Sequence, residues 1–184
     1  IDSAPAIKAC YAKATQLIAP ERLSITQNIL IGPTLKDTSA EILGENLMNR
    51  QEDFIQIFQA EYDDGIVLET KQYADAEKLL KQLKERGDSI AIATNKRTNP
   101  TNALINHYGW GDYFEWVACL DEFNEQFKHK SEMVTHLLIS NPNFKSAYFI
   151  GDTVNDGITA NQNQLLFIRA SYGYGINQNW NKIN

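Results

Sequence analysis

Apolar and polar positions follow two different rhythms along this chain, and the change of rhythm divides it. Residues 3–62 carry the helical period throughout. Ser3 stands where it can cap a first helix with Pro5 in the opening turn, and Ile7, Cys10, Ala14, Leu17 and Ile18 fall on one stripe. Gly32-Pro33 interrupts the pattern. A second helix, capped by Asp37 or Thr38, carries Ile42, Leu43 and Leu47, and a third from Gln51 to Tyr62 carries Phe54, Ile55, Ile57 and Phe58. From residue 70 onward, short apolar runs alternate with helical ones. Helices are predicted at 75–86 (closed by Gly87), 99–108 (closed by Gly109), 130–140 and 156–162, with strands at 89–94, 115–120, 147–150 and 165–169. Strands this apolar, separated by helices, predict a parallel sheet covered on both faces. Right-handed crossovers then make the fold α/β, with a doubly wound parallel sheet.

Composition narrows the picture. A chain of 184 residues suits one domain, or a core with an inserted subdomain, and 43% hydrophobic residues suffice to bury a core. The net charge of −6 weighs against nucleic acid as a partner, since its phosphates demand basic patches, but not against small phosphates. Cys10 and Cys119 lack metal-ligand spacing and read as small buried hydrophobes in a reducing compartment. No apolar stretch is long enough to span a bilayer, and the first residues lack the basic region and apolar core of a signal peptide. The expectation is a cytoplasmic protein, monomer or homodimer, with no membrane partner.

Candidate chemistry gathers at the carboxyl ends of the strands, where open α/β sheets bind ligands. After Ala147-Tyr148-Phe149-Ile150 comes Gly151, then Asp152 and Asp156, two carboxylates that can face one crevice and suit a hard cation such as Mg²⁺. The plain alternative is a turn with a helix cap and a favourable anion in the first helical turn. Thr94-Asn95-Lys96 ends an earlier strand, where a hydroxyl and fresh backbone N–H groups can bind a phosphate oxygen, or where the chain merely turns. Lys130 opens a helix, the end that repels cations, which hints at an anion nearby; the commoner alternative is a solvated lysine.

In order and spacing, Thr94-Asn95-Lys96, Lys130-Ser131-Glu132-Met133-Val134 and Gly151-Asp152-Thr153-Val154-Asn155-Asp156 resemble three motifs of the haloacid dehalogenase-like superfamily, most closely its phosphoglycolate-phosphatase-like branch. Leu104-Ile105-Asn106-His107-Tyr108-Gly109 with Asp112-Tyr113-Phe114, Asp2-Ser3-Ala4-Pro5 and Ile31-Gly32-Pro33-Thr34-Leu35 are similar to its connecting segments, so the resemblance covers essentially the whole chain. It implies a Rossmann-like core at 69–184 with an inserted helical cap at 1–68. It also implies a Mg²⁺-dependent phosphatase of a small phosphorylated metabolite, working through an aspartyl-phosphate. In that family Thr94 would hydrogen-bond the transferring phosphoryl group, Asn95 help position it, Lys130 neutralise it, and Asp152 and Asp156 hold the metal. The helical cap would close over the site and select the substrate.

The resemblance also sets an expectation about what is missing. The family's nucleophile lies in an Asp-x-Asp-Gly-Thr motif just before the Asp-Ser-x-Pro segment, and here only Ile1 precedes Asp2-Ser3-Ala4-Pro5. Asp2 matches the opening of the cap and is no substitute. The nucleophile and the second Asp, the usual general acid/base, are therefore expected on a central strand from a longer N-terminal stretch, and these residues alone are expected not to hydrolyse phosphate esters. Asn161-Gln162-Asn163 also departs from the small residue and Gly usual after the last motif, and the Asn-rich tail 177–184 is expected to fray. Rival readings are a phosphosugar mutase of the same fold and a catalytically dead binding or regulatory module. A dehalogenase would not need the paired carboxylates, and no Gly-x-Gly-x-x-Gly follows a strand to suggest a dinucleotide.

Overall fold

A computed structural model describes residues 1–123, 126–144, 147–181 and 183, and divides them into two compact units. The first comprises residues 1–78 and 99–111, and the second 79–98 and 112–184.

In the first unit, helix α1 (Ala4–Ile18) packs against α3 (Gln51–Asp63), with α2 (Leu35–Leu43) beside α3. Of the stripe read from the sequence, Cys10 and Ala14 are buried, Ile7 and Ile18 are half-buried and Leu17 is exposed; the buried face turns instead on Ala6, Cys10, Tyr11 and Ala14, which meet Phe54, Phe58 and Tyr62. Tyr11 and Phe58 lie 4.5 Å apart between ring centroids, and Phe58 and Tyr62 5.5 Å, within the range of favourable aromatic pairs. Burial first, then the acidic neighbours Glu61, Glu69 and Asp63, push the Cys10 thiol up to about 12, so it behaves as a small hydrophobe. Helix α2 is capped by Thr34, not by Asp37 or Thr38. The Thr34 hydroxyl accepts from the Asp37 amide at 3.1 Å and donates to the Asp37 carboxylate at 2.7 Å. The helix ends at Gly44, in the left-handed region at φ 63°, so Leu47 falls in a following 3₁₀ turn. Leu104, from the helix Thr98–His107, completes this core.

The second unit holds the strands, which form two parallel pairs. β1 (Ala91–Thr94) runs beside β2 (Trp116–Cys119) with Thr94 opposite Cys119. β3 (Tyr148–Gly151) runs beside β4 (Leu166–Arg169) with Gly151 opposite Arg169. Among the described residues β1 and β3 each pair on one side only. The remaining helices are, in chain order, α4 (Ala76–Arg86), α5 (the Thr98–His107 helix above), α6 (Lys130–Ser140) and α7 (Val154–Gln162). Helix α6 packs on β1 and α7. Ala93 of β1 touches both the cluster of Ala118, Met133 and Leu137 and the cluster of Val134, Ala160 and Leu165. Phe149 and Phe167 face the second cluster, whereas Tyr148, Ile150, Leu166 and Ile168 are exposed on the other face of their pair. The class is α/β with parallel strands. No helix among the described residues is long and apolar enough to cross a membrane.

Part of the tail expected to fray, residues 182 and 184, lies outside the described residues, and within the described part Gln178 and Trp180 make specific contacts. The Trp180 ring stacks on Phe167 at 5.9 Å, Arg169 sits 4.0 Å over Trp180, and the Trp180 ring N–H donates to the Gly175 carbonyl at 2.8 Å. The Gln178 Oε1 accepts from the Val154 amide at 2.7 Å, satisfying one of the orphan N–H groups at the start of α7. An aromatic ring and an amide acceptor thus tie the described part of this Asn-rich segment to β4 and α7.

Candidate functional site

All five residues singled out in the sequence lie in the second unit. The strands β1 and β3 end at Thr94 and Gly151, which puts Thr94-Asn95 and Asp152 at strand carboxyl ends, as the alternation predicts. The Thr94 hydroxyl oxygen accepts from the Lys96 amide at 3.1 Å, a local turn that leaves its proton to donate elsewhere. Burial lowers the Lys96 ammonium pKa to about 8, with repulsion from Arg97 adding to the fall and Cys119 opposing it.

Lys130 is the first residue of α6. The turn before it is closed by Glu132, whose carboxylate accepts from the Lys128 amide at 2.8 Å and the His129 amide at 3.4 Å. The Lys128 bond above all holds the Glu132 carboxyl below its ordinary range. From this anchored turn Lys130 reaches Asp156, with Nζ 2.8 Å from Oδ1; the side chains are 21% and 6% exposed. The lysine that the helix dipole disfavours is thus paired with a carboxylate of the last motif.

Asp156 is crowded with donors. Its Oδ2 accepts from the Thr153 hydroxyl at 2.7 Å, the Thr153 amide at 3.0 Å and the Asp152 amide at 3.2 Å. Burial disfavours its charge, but Lys130 and the Thr153 donors outweigh burial and hold the carboxyl below the usual carboxylate range. Asp156 is therefore an ionised residue already committed to Lys130 and to its own loop.

Asp152 is held differently. The Tyr174 amide donates to its Oδ2 at 2.7 Å, and the Gly175 amide donates to its main-chain carbonyl at 3.0 Å. Among the described residues Oδ1 accepts no hydrogen bond from the protein. Three glycines press on the two carboxylate residues. A Cβ at Gly151 would overlap the Asp156 side chain, one at Gly173 the Asp152 carboxylate, and one at Gly175 the Asp152 carbonyl.

The donors fit Mg²⁺. No group of three or more His, Cys, Asp or Glu side chains converges among the described residues, but Mg²⁺ is commonly held by one or two carboxylates, with waters and substrate phosphate completing the octahedron. Among the described residues, Asp152 Oδ1 accepts no hydrogen bond and Asp156 Oδ1 accepts from Lys130 alone.

Asp152, Asp156 and Lys130 are thus brought into one hydrogen-bonded group, while Thr94 ends β1 and Asn95 follows it, one and two residues past Ala93, which α6 covers. Sequence reasoning missed Thr153, the 173–175 loop and Gln178. The signal available for the loop was Gly173-Tyr174-Gly175, a pair of glycines shortly after a strand.

Residues 1–170 match the family model described as haloacid dehalogenase-like hydrolase. The chain is 26% identical over 129 residues to a phosphoglycolate phosphatase of Psychrobacter arcticus, a match covering 70% of this chain and 56% of that protein. It is 25% identical over 189 residues to one of Photobacterium profundum, covering 97% and 81%. It thus spans little more than half the length of the first. The solved structure of a haloacid dehalogenase-like family hydrolase from Streptococcus pneumoniae superposes with a TM-score of 0.78 at 18% identity, covering 95% of this chain and 80% of that one, a likeness of fold.

Proposed function

Because this chain belongs to the haloacid dehalogenase-like hydrolase family, we propose that it carries the phosphate- and metal-holding half of a phosphatase site, acting on a small phosphorylated metabolite. The observation that carries the reading is the Lys130–Asp156 pair beside Asp152, where a buried, ionised carboxylate orients a cation at the carboxyl end of β3. Lys130 neutralises phosphate oxygens, the Thr94 hydroxyl donates to one of them, and Asn95 positions the group. Asp152 ligates Mg²⁺, and Asp156 holds Lys130 and the waters of the metal. Bound Mg²⁺ supplies charge neutralisation for the phosphoryl oxygens.

The nucleophile is a carboxylate on a further extended segment lying along the unpaired sides of β1 and β3. Its oxygen bonds to phosphorus as the bond to the substrate alcohol breaks, and water later cleaves the resulting aspartyl-phosphate. Among the described residues β1 and β3 are each unpaired on the side away from β2 and β4, which supports this arrangement. Residues 1–68 select the substrate. The names of the relatives make 2-phosphoglycolate the first substrate to try.

The test is phosphate release by the full gene product from 2-phosphoglycolate and a panel of small phosphate monoesters. Turnover should vanish with EDTA and return with MgCl₂, and Lys130→Ala and Asp152→Asn should each lower kcat by about 100-fold or more, the size expected for removing a transition-state donor. Undiminished turnover in Lys130→Ala would overturn the reading.

A further inference from the structure

We propose that Gly173 and Gly175 are positioning residues for Asp152, closing the loop after β4 onto that side chain so that its Oδ1 is presented to a metal. The inference rests on the reading of Asp152 as a metal ligand and extends it to residues that no motif of the sequence reading includes.

The loop leaves β4 through Ala170, whose amide donates to the Gly151 carbonyl at 2.8 Å, and returns past the start of α7. On that return two successive amides bracket Asp152. Tyr174 holds carboxylate Oδ2 and Gly175 holds the main-chain carbonyl of the same residue. Side chain and backbone are pinned together, so the direction of the carboxylate is set before any ligand arrives. Such outer contacts orient the groups that hold a metal and lower the entropy lost on binding.

The glycines are required by space and not by backbone angle. Gly173 has φ −87°, a value open to any residue. What forbids a larger residue is Asp152 itself: the three atoms a Cβ at 173 would strike are Asp152 Oδ2, Cβ and Cγ. At 175 the collision is with the Asp152 carbonyl oxygen. A loop with side chains at these places cannot bring its amides within hydrogen-bonding distance of Asp152. Gly173 and Gly175 are both buried. Gln178 supports the same geometry by accepting from Val154, two residues past Asp152.

The test is Mn²⁺ binding to the metal-free full gene product, read by the electron paramagnetic resonance of free Mn²⁺, with circular dichroism as the control for folding. Asp152→Asn should weaken binding strongly. Gly173→Ala should raise the Mn²⁺ Kd by about 10- to 100-fold while the spectrum stays native, the size found for outer-shell partners of metal ligands. Should Gly173→Ala fail to fold, the double variant Asp152→Gly/Gly173→Ala removes the three atoms nearest the new Cβ and should restore the native spectrum; failure to restore it overturns the proposal. Binding unchanged in Asp152→Asn removes the metal-ligand reading and the proposal with it. Binding lost in Asp152→Asn but unchanged in a folded Gly173→Ala removes the proposal alone.

Discussion

Lys130 sits where a helix repels a cation, and one contact, to Asp156, reverses the balance. Truncating it leaves a nearly buried carboxylate without its partner, so Lys130→Ala is expected to cost about 3 kcal/mol in urea unfolding at pH 7. The double variant Lys130→Ala/Asp156→Asn should cost less than Lys130→Ala, and equal losses would show that the pair is not coupled. The pH dependence follows from the lowered pKa of Asp156. The unfolded carboxyl titrates near its ordinary value of about 4, so the stability from this group is fully present above that pH and is lost as pH falls through the lower folded value. Asp156→Asn should remove that part of the acid limb, and an unaltered acid limb would argue against the assignment. Lys96 behaves in the opposite sense. Its folded pKa of about 8 lies below the ordinary 10.5, so the unfolded chain holds more protons between these values and stability rises with pH across that window. Lys96→Met should flatten this rise, measured as urea midpoints from pH 7 to about 10.5; a rise that persists would place the titration elsewhere.

At the scale of elements, most boundaries follow from local chemistry. Helix α6 begins at Lys130 and ends at Ser140, as the apolar period predicts, because Glu132 closes its first turn. Helix α2 starts where Thr34 and Asp37 exchange hydrogen bonds, a reciprocal cap that the sequence places three residues too late when Asp37 is taken as the cap itself. For the tail, local composition expects fraying, whereas the contacts of Gln178 and Trp180 expect order at those residues. Removing its one anchor ring tests this: Trp180→Ala should destabilise the second unit by about 2 kcal/mol, below the range for a fully buried Trp because the ring is only half-buried. Amide exchange at residues 174–179 should accelerate in the same variant, and unchanged exchange there would mean that the tail is held by other contacts.

At the scale of the whole molecule, the exposed face of the β3–β4 pair stands out. Tyr148 lies opposite Leu166 and Ile150 opposite Ile168, and all four are between 45% and 65% exposed. With the sides of β1 and β3 that are unpaired among the described residues, this apolar face makes self-association the expected liability of this polypeptide. Ile150→Thr/Ile168→Thr keeps β-branched residues on the strands and should reduce concentration-dependent light scattering while changing stability by no more than about 0.5 kcal/mol for each exposed position. Scattering that does not fall would move the liability to another surface.

The sequence alone determined the order of helices and strands from residue 70 onward, Cys10 and Ala14 on the buried side of α1, and Asp152, Asp156, Thr94 and Lys130 as candidates, because period, turn residues and strand-end polarity are local properties. Only the tertiary structure decided which of those polar residues touch. Lys130 and Asp156 are 26 residues apart in the chain and meet at 2.8 Å, while Asp152 is bonded to Tyr174 at 22 residues' distance. The same holds for Gly173, Gly175 and Trp180, whose roles depend on which side chain the returning loop passes. A hydrophobic pattern records that a face is buried and carries no record of what lies across from it, and the orientation of a carboxylate is set by those distant partners.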